Sequence, residues 1–121
     1  MKQNMLRSNI TVEVQFRHMP KSKALRQITL QQLDAFEAFA LRGSRCEVVF
    51  DQSHSSKYGE IYYQVAIRLH IPGQSLYVTH HSEFGGSKEL LFPMLNDAFS
   101  DIKRQLRKNR TRKHGYRRMT V

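Results

Sequence analysis

Residues 101–118, DIKRQLRKNRTRKHGYRR, hold nine Lys or Arg in eighteen positions, with no acidic residue after Asp101. Cations at this density suit the binding of a polyanion, because each one set against a phosphate displaces condensed counterions. The whole chain leans the same way, with 20 Lys and Arg against 10 Asp and Glu in 121 residues and a formal charge of +10. Other reactive side chains form no constellation. The six histidines include the neighbours His80 and His81, which point to opposite faces of a strand and do not share an ion easily, so no metal site is expected. Cys46 alternates with Val48 and Phe50, which reads as a core position and not as a nucleophile. The acidic residues show no paired-carboxylate motif, and FGGSK, with the lone Lys88, falls short of the phosphate-cradling pattern G-x-x-x-x-G-K-[ST]. The sequence therefore predicts no enzyme, no cofactor and no small-molecule substrate.

The elements that must carry the basic residues are legible from periodicity. In EIYYQVAIRLHIPG, Ile61, Tyr63, Val65, Ile67, Leu69 and Ile71 alternate with polar or small residues, the signature of a half-buried strand. ITVEVQFR repeats it with Ile10, Val12, Val14 and Phe16; CEVVFD supplies Cys46, Val48 and Phe50; SLYVTHH supplies Leu76 and Val78. PGQS marks a tight turn between the third and fourth strands, and QSHSSKYGE a longer loop between the second and third. A first helix is predicted over roughly Ser22 to Leu41, with Leu25, Ile28, Leu33, Phe36, Phe39 and Ala40 in one arc and Gly43 after its stop. A second runs from Ser87 or Leu90 to Arg110, with Leu91, Met94, Leu95, Ala98, Phe99, Ile102 and Leu106 on one face and Pro93 in its first turn.

The predicted fold is α+β in the order β-α-β-β-β-α, a four-stranded sheet with both helices on one face, similar in order to double-stranded RNA-binding domains. Residues 9–110 form the expected domain, with flexible ends at 1–8 and 111–121. No stretch approaches the ~18 apolar residues that span a bilayer. The N-terminus has no signal-peptide core and Cys46 stands alone, so the expected setting is the cytoplasm, away from membranes.

On the second helix Lys103, Arg104, Arg107 and Lys108 fall opposite the apolar face. A solvated helix end with favourable dipole placement accounts for four charges, but five more follow in the run, which favours a phosphate-contact surface. Lys21, Lys23 and Arg26 open the first helix, where cations oppose the dipole, and suggest a second set of contacts. The open sheet face carries Tyr62, Tyr77, Arg17, Arg68, His70 and His81. Base stacking by the tyrosines is weighed against ordinary cross-strand packing, and packing is favoured.

The element order, SKALRQITLQQLDAF in the first helix and NDAFSDIKRQLRKNRTRK in the second resemble the ribosome hibernation promoting factor family, which includes the ribosome-associated inhibitor once described as a sigma-54 modulation protein. The likeness runs from about Val12 to Lys113. It is sharpest at Ala24-Leu25-Arg26, Leu69-His70 and Arg104-Gln105-Leu106, followed by Lys108, Arg110 and Arg112. The resemblance implies a short-form factor that binds small-subunit ribosomal RNA in the mRNA and tRNA channel and holds translation off in stress or stationary phase. Arg26, Arg104, Lys108, Arg110 and Arg112 match positions where the family carries basic residues facing that RNA. Lys23, Arg68, Lys88, Lys103, Arg107 and Lys113 complete the candidate set. Two features depart from the family: Leu90 and Asn96 stand where acids are usual, and the loop SEFGGSKE is longer. Two rival readings stay open at this point, a double-stranded RNA-binding module and a basic adaptor that docks on an acidic protein.

Overall fold

The computed structural model describes residues 2–7, 10–34, 43–54, 59–82 and 87–119, with 2–7 and 109–119 described by their backbone alone. Five strands, β1 (Lys2–Arg7), β2 (Ile10–Arg17), β3 (Ser44–His54), β4 (Ile61–Ile71) and β5 (Gln74–His81), form one sheet in the order β1-β2-β3-β4-β5. The helices are α1 (Lys23–Asp34) and α2 (Leu91–Met119), the second preceded by a 3₁₀ turn over Lys88–Leu90. From β2 onward the order is the expected β-α-β-β-β-α. α1 crosses between the parallel pair β2 and β3, and the remaining pairs are antiparallel.

The period-two residues do what their spacing predicts. Ile10, Val12, Val14, Cys46, Val48, Phe50, Val65, Ile67, Leu76 and Val78 are buried in a single core on the inner face of the sheet. Phe16 and Phe50 stack within it, their ring centroids 5.2 Å apart. The helices close that core from one side: α1 contributes Leu25 and Leu33, and α2 contributes Leu91, Leu95, Ala98, Phe99, Ile102 and Leu106. Phe36, Phe39 and Ala40 lie outside the described residues.

Local chemistry sets the element ends. The Ser22 hydroxyl accepts the Leu25 N–H at 3.2 Å, an N-cap that satisfies one of the orphan donors of α1. Ile71 and Gln74 pair across a two-residue turn in which Pro72 is followed by Gly73 at φ +90°, a conformation that glycine adopts without strain. Pro93 is the third residue of α2, where its missing N–H interrupts no bond within the helix.

Two boundaries differ from expectation. Residues 1–8 were expected to be flexible, yet Lys2–Arg7 pair antiparallel with β2. Period-two hydrophobicity is absent from KQNMLR because an edge strand is held by its backbone ladder and need not own a core face. α2 was expected to end near Arg110 but continues to Met119. The Arg and Lys of this stretch are good helix formers, no proline interrupts them, and cations complement the C-terminal end of a helix dipole, so helix outlasts the apolar stripe.

Burial also decides the chemistry of Cys46. Removal from water, followed by the nearby Glu47 carboxylate, pushes its thiol up to about 12, so almost no thiolate exists at neutral pH. The native protein should leave Cys46 unlabelled by a maleimide over hours and expose it within minutes in denaturant. Rapid labelling without denaturant, counted by mass spectrometry, would contradict this packing.

Candidate nucleic-acid interface

The faces of the sheet differ in charge as well as in polarity. On the outer face Glu13, Glu47, Arg68 and Tyr77 stand side by side in register across β2 to β5. Arg45 clamps the two carboxylates, its Nη2 lying 2.7 Å from Glu13 and 3.1 Å from Glu47. Glu13, although on this outer face, is only 8% exposed, flanked by β1 on one side and β3 on the other. A carboxylate so placed needs the charged partner that Arg45 supplies. Arg17, Arg45 and Arg68 thus share one shallow trough with Glu13, Glu47 and Asp51, an arrangement with no net charge.

The tyrosines of this face are engaged within the protein. Tyr77 is 54% exposed, but the Arg68 guanidinium carbon lies 5.3 Å over its ring. Tyr62 donates its hydroxyl to Glu60 Oε2 at 2.8 Å, a bond that raises the phenol above its ordinary pKa. The Arg68–Tyr77 contact is cross-strand, as the packing reading expects, whereas the Tyr62 bond is local, to the residue just before β4. Arg68 is drawn toward Glu47 and Tyr77 on the sheet face opposite the helices.

Positive charge in excess of acid lies instead on α2, where Asp101 is the last acidic residue and Lys103, Arg104, Arg107 and Lys108 follow it. Ile102 and Leu106 are buried in the core, so the helical repeat turns Lys103, Arg104, Arg107 and Lys108 away from it. Arg104, Arg107 and Lys108 are exposed, and Lys103 is half-buried. Arg110, Arg112 and Lys113 continue along the same helix by backbone, with side chains outside the described residues.

Lys23, Arg26 and Lys88 belong to a different group. Gln32 of α1 donates to Asn96 of α2 at 2.6 Å and marks where the helices meet. α1 runs back against β2 and β3, and α2 runs back against β5, which is parallel in sense to β3; the two helices therefore share a direction. Lys23 and Lys88 then lie one way from that contact and Lys108 the other. At 1.5 Å per residue Lys88 and Lys108 are separated by roughly 30 Å along the helix axis, and Arg26 and Arg104 by roughly 20 Å. The candidate residues of the helical layer thus fall into two groups, as the separate basic start of the first helix suggested. Lys88 also shares its turn with Glu89, whose carboxyl is held low, first by a hydrogen bond with Ser87.

Sequence reasoning missed the residues that join α2 to the sheet edge. His80 Nε2 of β5 lies 2.7 Å from Asp101 Oδ2, and Arg104 bridges to the other oxygen of the same carboxylate. The groove between β5 and α2 is lined by Tyr77, His80, Asp101, Arg104, Gln105 and Lys108. The Asp101/Arg104 spacing of three residues was a visible signal; the partnership with His80 needed the fold. Among the described residues no group of three or more His, Cys, Asp or Glu is placed to hold a metal ion, and no helix is long and apolar enough to cross a membrane.

Comparison with known proteins adds a lineage to this geometry. The family profile described as "Sigma 54 modulation protein / S30EA ribosomal protein" matches residues 12–114. No curated protein matches by sequence. Among solved structures, the N-terminal domain of Protein Y from Thermus thermophilus superposes with a TM-score of 0.60 at 15% identity, covering 83% of this chain and 97% of that one. A ribosomal subunit interface protein from Coxiella burnetii gives 0.59 at 15% identity, with the same coverages. At that identity the likeness concerns the fold.

Proposed function

Because the chain belongs to the sigma 54 modulation protein / S30EA ribosomal protein family, we propose that it is a ribosome-associated factor that binds small-subunit ribosomal RNA in the mRNA and tRNA channel. Occupying that channel in stressed or stationary cells keeps mRNA and tRNA out, so translation stops without chemistry. The protein acts in the cytoplasm, where its ribosomes are, and needs no cofactor.

The observation that carries this reading is the division of charge. Arg104, Arg107 and Lys108 stand exposed on a helix pinned by Ile102 and Leu106, whereas the outer sheet face balances its arginines with carboxylates. A polyanion gains from the first surface and little from the second. Lys23, Arg26 and Lys88, at the far end of the helical layer, allow a second contact on an extended RNA surface. Arg68 would contribute only where RNA displaces Glu47 or Tyr77 from it.

Salt dependence tests the phosphate contacts. If about six phosphates are neutralised, log affinity for isolated small subunits falls with log salt at a slope of about −4 to −5. A nearly flat response would exclude this mode of binding. Sedimentation of extracts from growing and starved cultures tests the setting: the protein should travel with ribosomes in the starved sample and leave them when intact ribosomes are destroyed by nuclease.

A further inference from the structure

Asp101 is the last acid of the chain, and it stands where α2 turns strongly basic. Both of its oxygens are engaged, one by His80 on β5 and the other by Arg104 one helical turn ahead. Lys108 follows Arg104 by a further turn and lines the same groove. Electrostatics alone would disfavour a carboxylate here, since it repels the phosphates that its neighbours attract. The Arg104 pair itself adds little stability, because the Arg104 side chain is 70% exposed; any structural contribution of Asp101 comes through its part-buried bond with His80.

What the carboxylate does supply is geometry. A free arginine samples many rotamers and loses them on binding, whereas a guanidinium already tied down loses fewer. Asp101 is tied to the sheet through His80 and so transmits a fixed position from β5 to Arg104. The Arg104 guanidinium has five N–H donors, and the bond through Nη2 leaves others to face a ligand. We propose that Asp101 is a positioning residue for RNA binding: shared between His80 and Arg104, it holds the Arg104 guanidinium at the mouth of the β5/α2 groove, where with Lys108 it receives one backbone phosphate. This inference rests on the ribosomal RNA reading of α2.

The two accounts of Asp101 predict opposite signs. Full-length protein is titrated against isolated small ribosomal subunits at several salt concentrations, with unfolding followed in parallel. Asp101→Asn raises the net charge by one, yet positioning predicts binding weaker by about five- to tenfold and a salt slope shallower by nearly one, as for a lost phosphate contact. Asp101→Glu should restore most of both. His80→Ala, which leaves Arg104 its partner but cuts the link to β5, should give a smaller loss in the same direction, and it serves as the test if Asp101→Asn folds poorly. A purely structural role would lower the active fraction without changing the slope, and that result overturns the proposal. Equal or tighter binding by Asp101→Asn, with normal wild-type binding, overturns the positioning role alone. Wild-type protein that fails to bind, or binds with a flat salt response, overturns the parent reading and this inference with it.

Discussion

Replacing Arg104 and Lys108 together by glutamate should release the protein from small ribosomal subunits, with affinity falling on the order of a hundredfold or more at physiological salt. Each substitution removes one counterion-releasing contact and adds a charge that repels the same phosphate, so the change in local charge is four. The salt slope should become shallower by about 1.5, the sum of two lost contacts. Both side chains are exposed on the outward face of α2, and the core residues Ile102 and Leu106 are untouched, so thermal unfolding should move little. Asp101 would lose its Arg104 partner while keeping His80, a modest effect for so exposed a pair. Co-sedimentation with small subunits at two salt concentrations reads the outcome. Retention equal to wild type would remove α2 from the interface. The matching reversal on the outer sheet face, Arg17→Glu, should change binding far less, because that face already offsets its cations with carboxylates.

How much of this was legible in the sequence depends on which physical signal each feature leaves. Strands β2 to β5 bury one face against the helices, and burial on one face imprints alternation; their inward residues could be read directly. β1 left no such mark, because its pairing with β2 runs through backbone groups common to every residue. The arc of Lys103, Arg104, Arg107 and Lys108 was visible because Ile102 and Leu106 fix the phase of the helix. Glu13 and Arg45 were not visible as a pair. They are 32 residues apart, and only the parallel register of β2 with β3 brings their side chains within 2.7 Å. The same holds for His80 and Asp101, 21 residues apart and joined where α2 folds back along β5. Charge counted along the chain therefore overstated how many cations are free. Arg68 entered the candidate set for its sign and its strand face, and the fold gives it Glu47 and Tyr77 as neighbours.

Phe99→Ala should cost the fold about 3–5 kcal/mol, the usual range when a buried aromatic is truncated and its cavity only partly collapses. Phe99 is 1% exposed and lies between Leu95 and Ile102 on the stripe by which α2 closes the core over β4 and β5. For a domain whose total stability is of the ordinary 5–15 kcal/mol, such a loss lowers the melting midpoint by roughly 10–20 °C. The consequence for RNA binding differs in kind from that of the charge reversals. A destabilised domain presents the same phosphate contacts whenever it is folded, so the apparent affinity drops with the folded fraction while the salt slope stays at the wild-type value. Cooling, or a conservative Phe99→Leu replacement that refills much of the cavity, should recover both stability and binding. Calorimetry paired with the salt titration separates the two mechanisms. A Phe99→Ala protein that melts within a few degrees of wild type would mean that α2 is not docked through this stripe, and the outward direction assigned to Arg104 and Lys108 would fall with it.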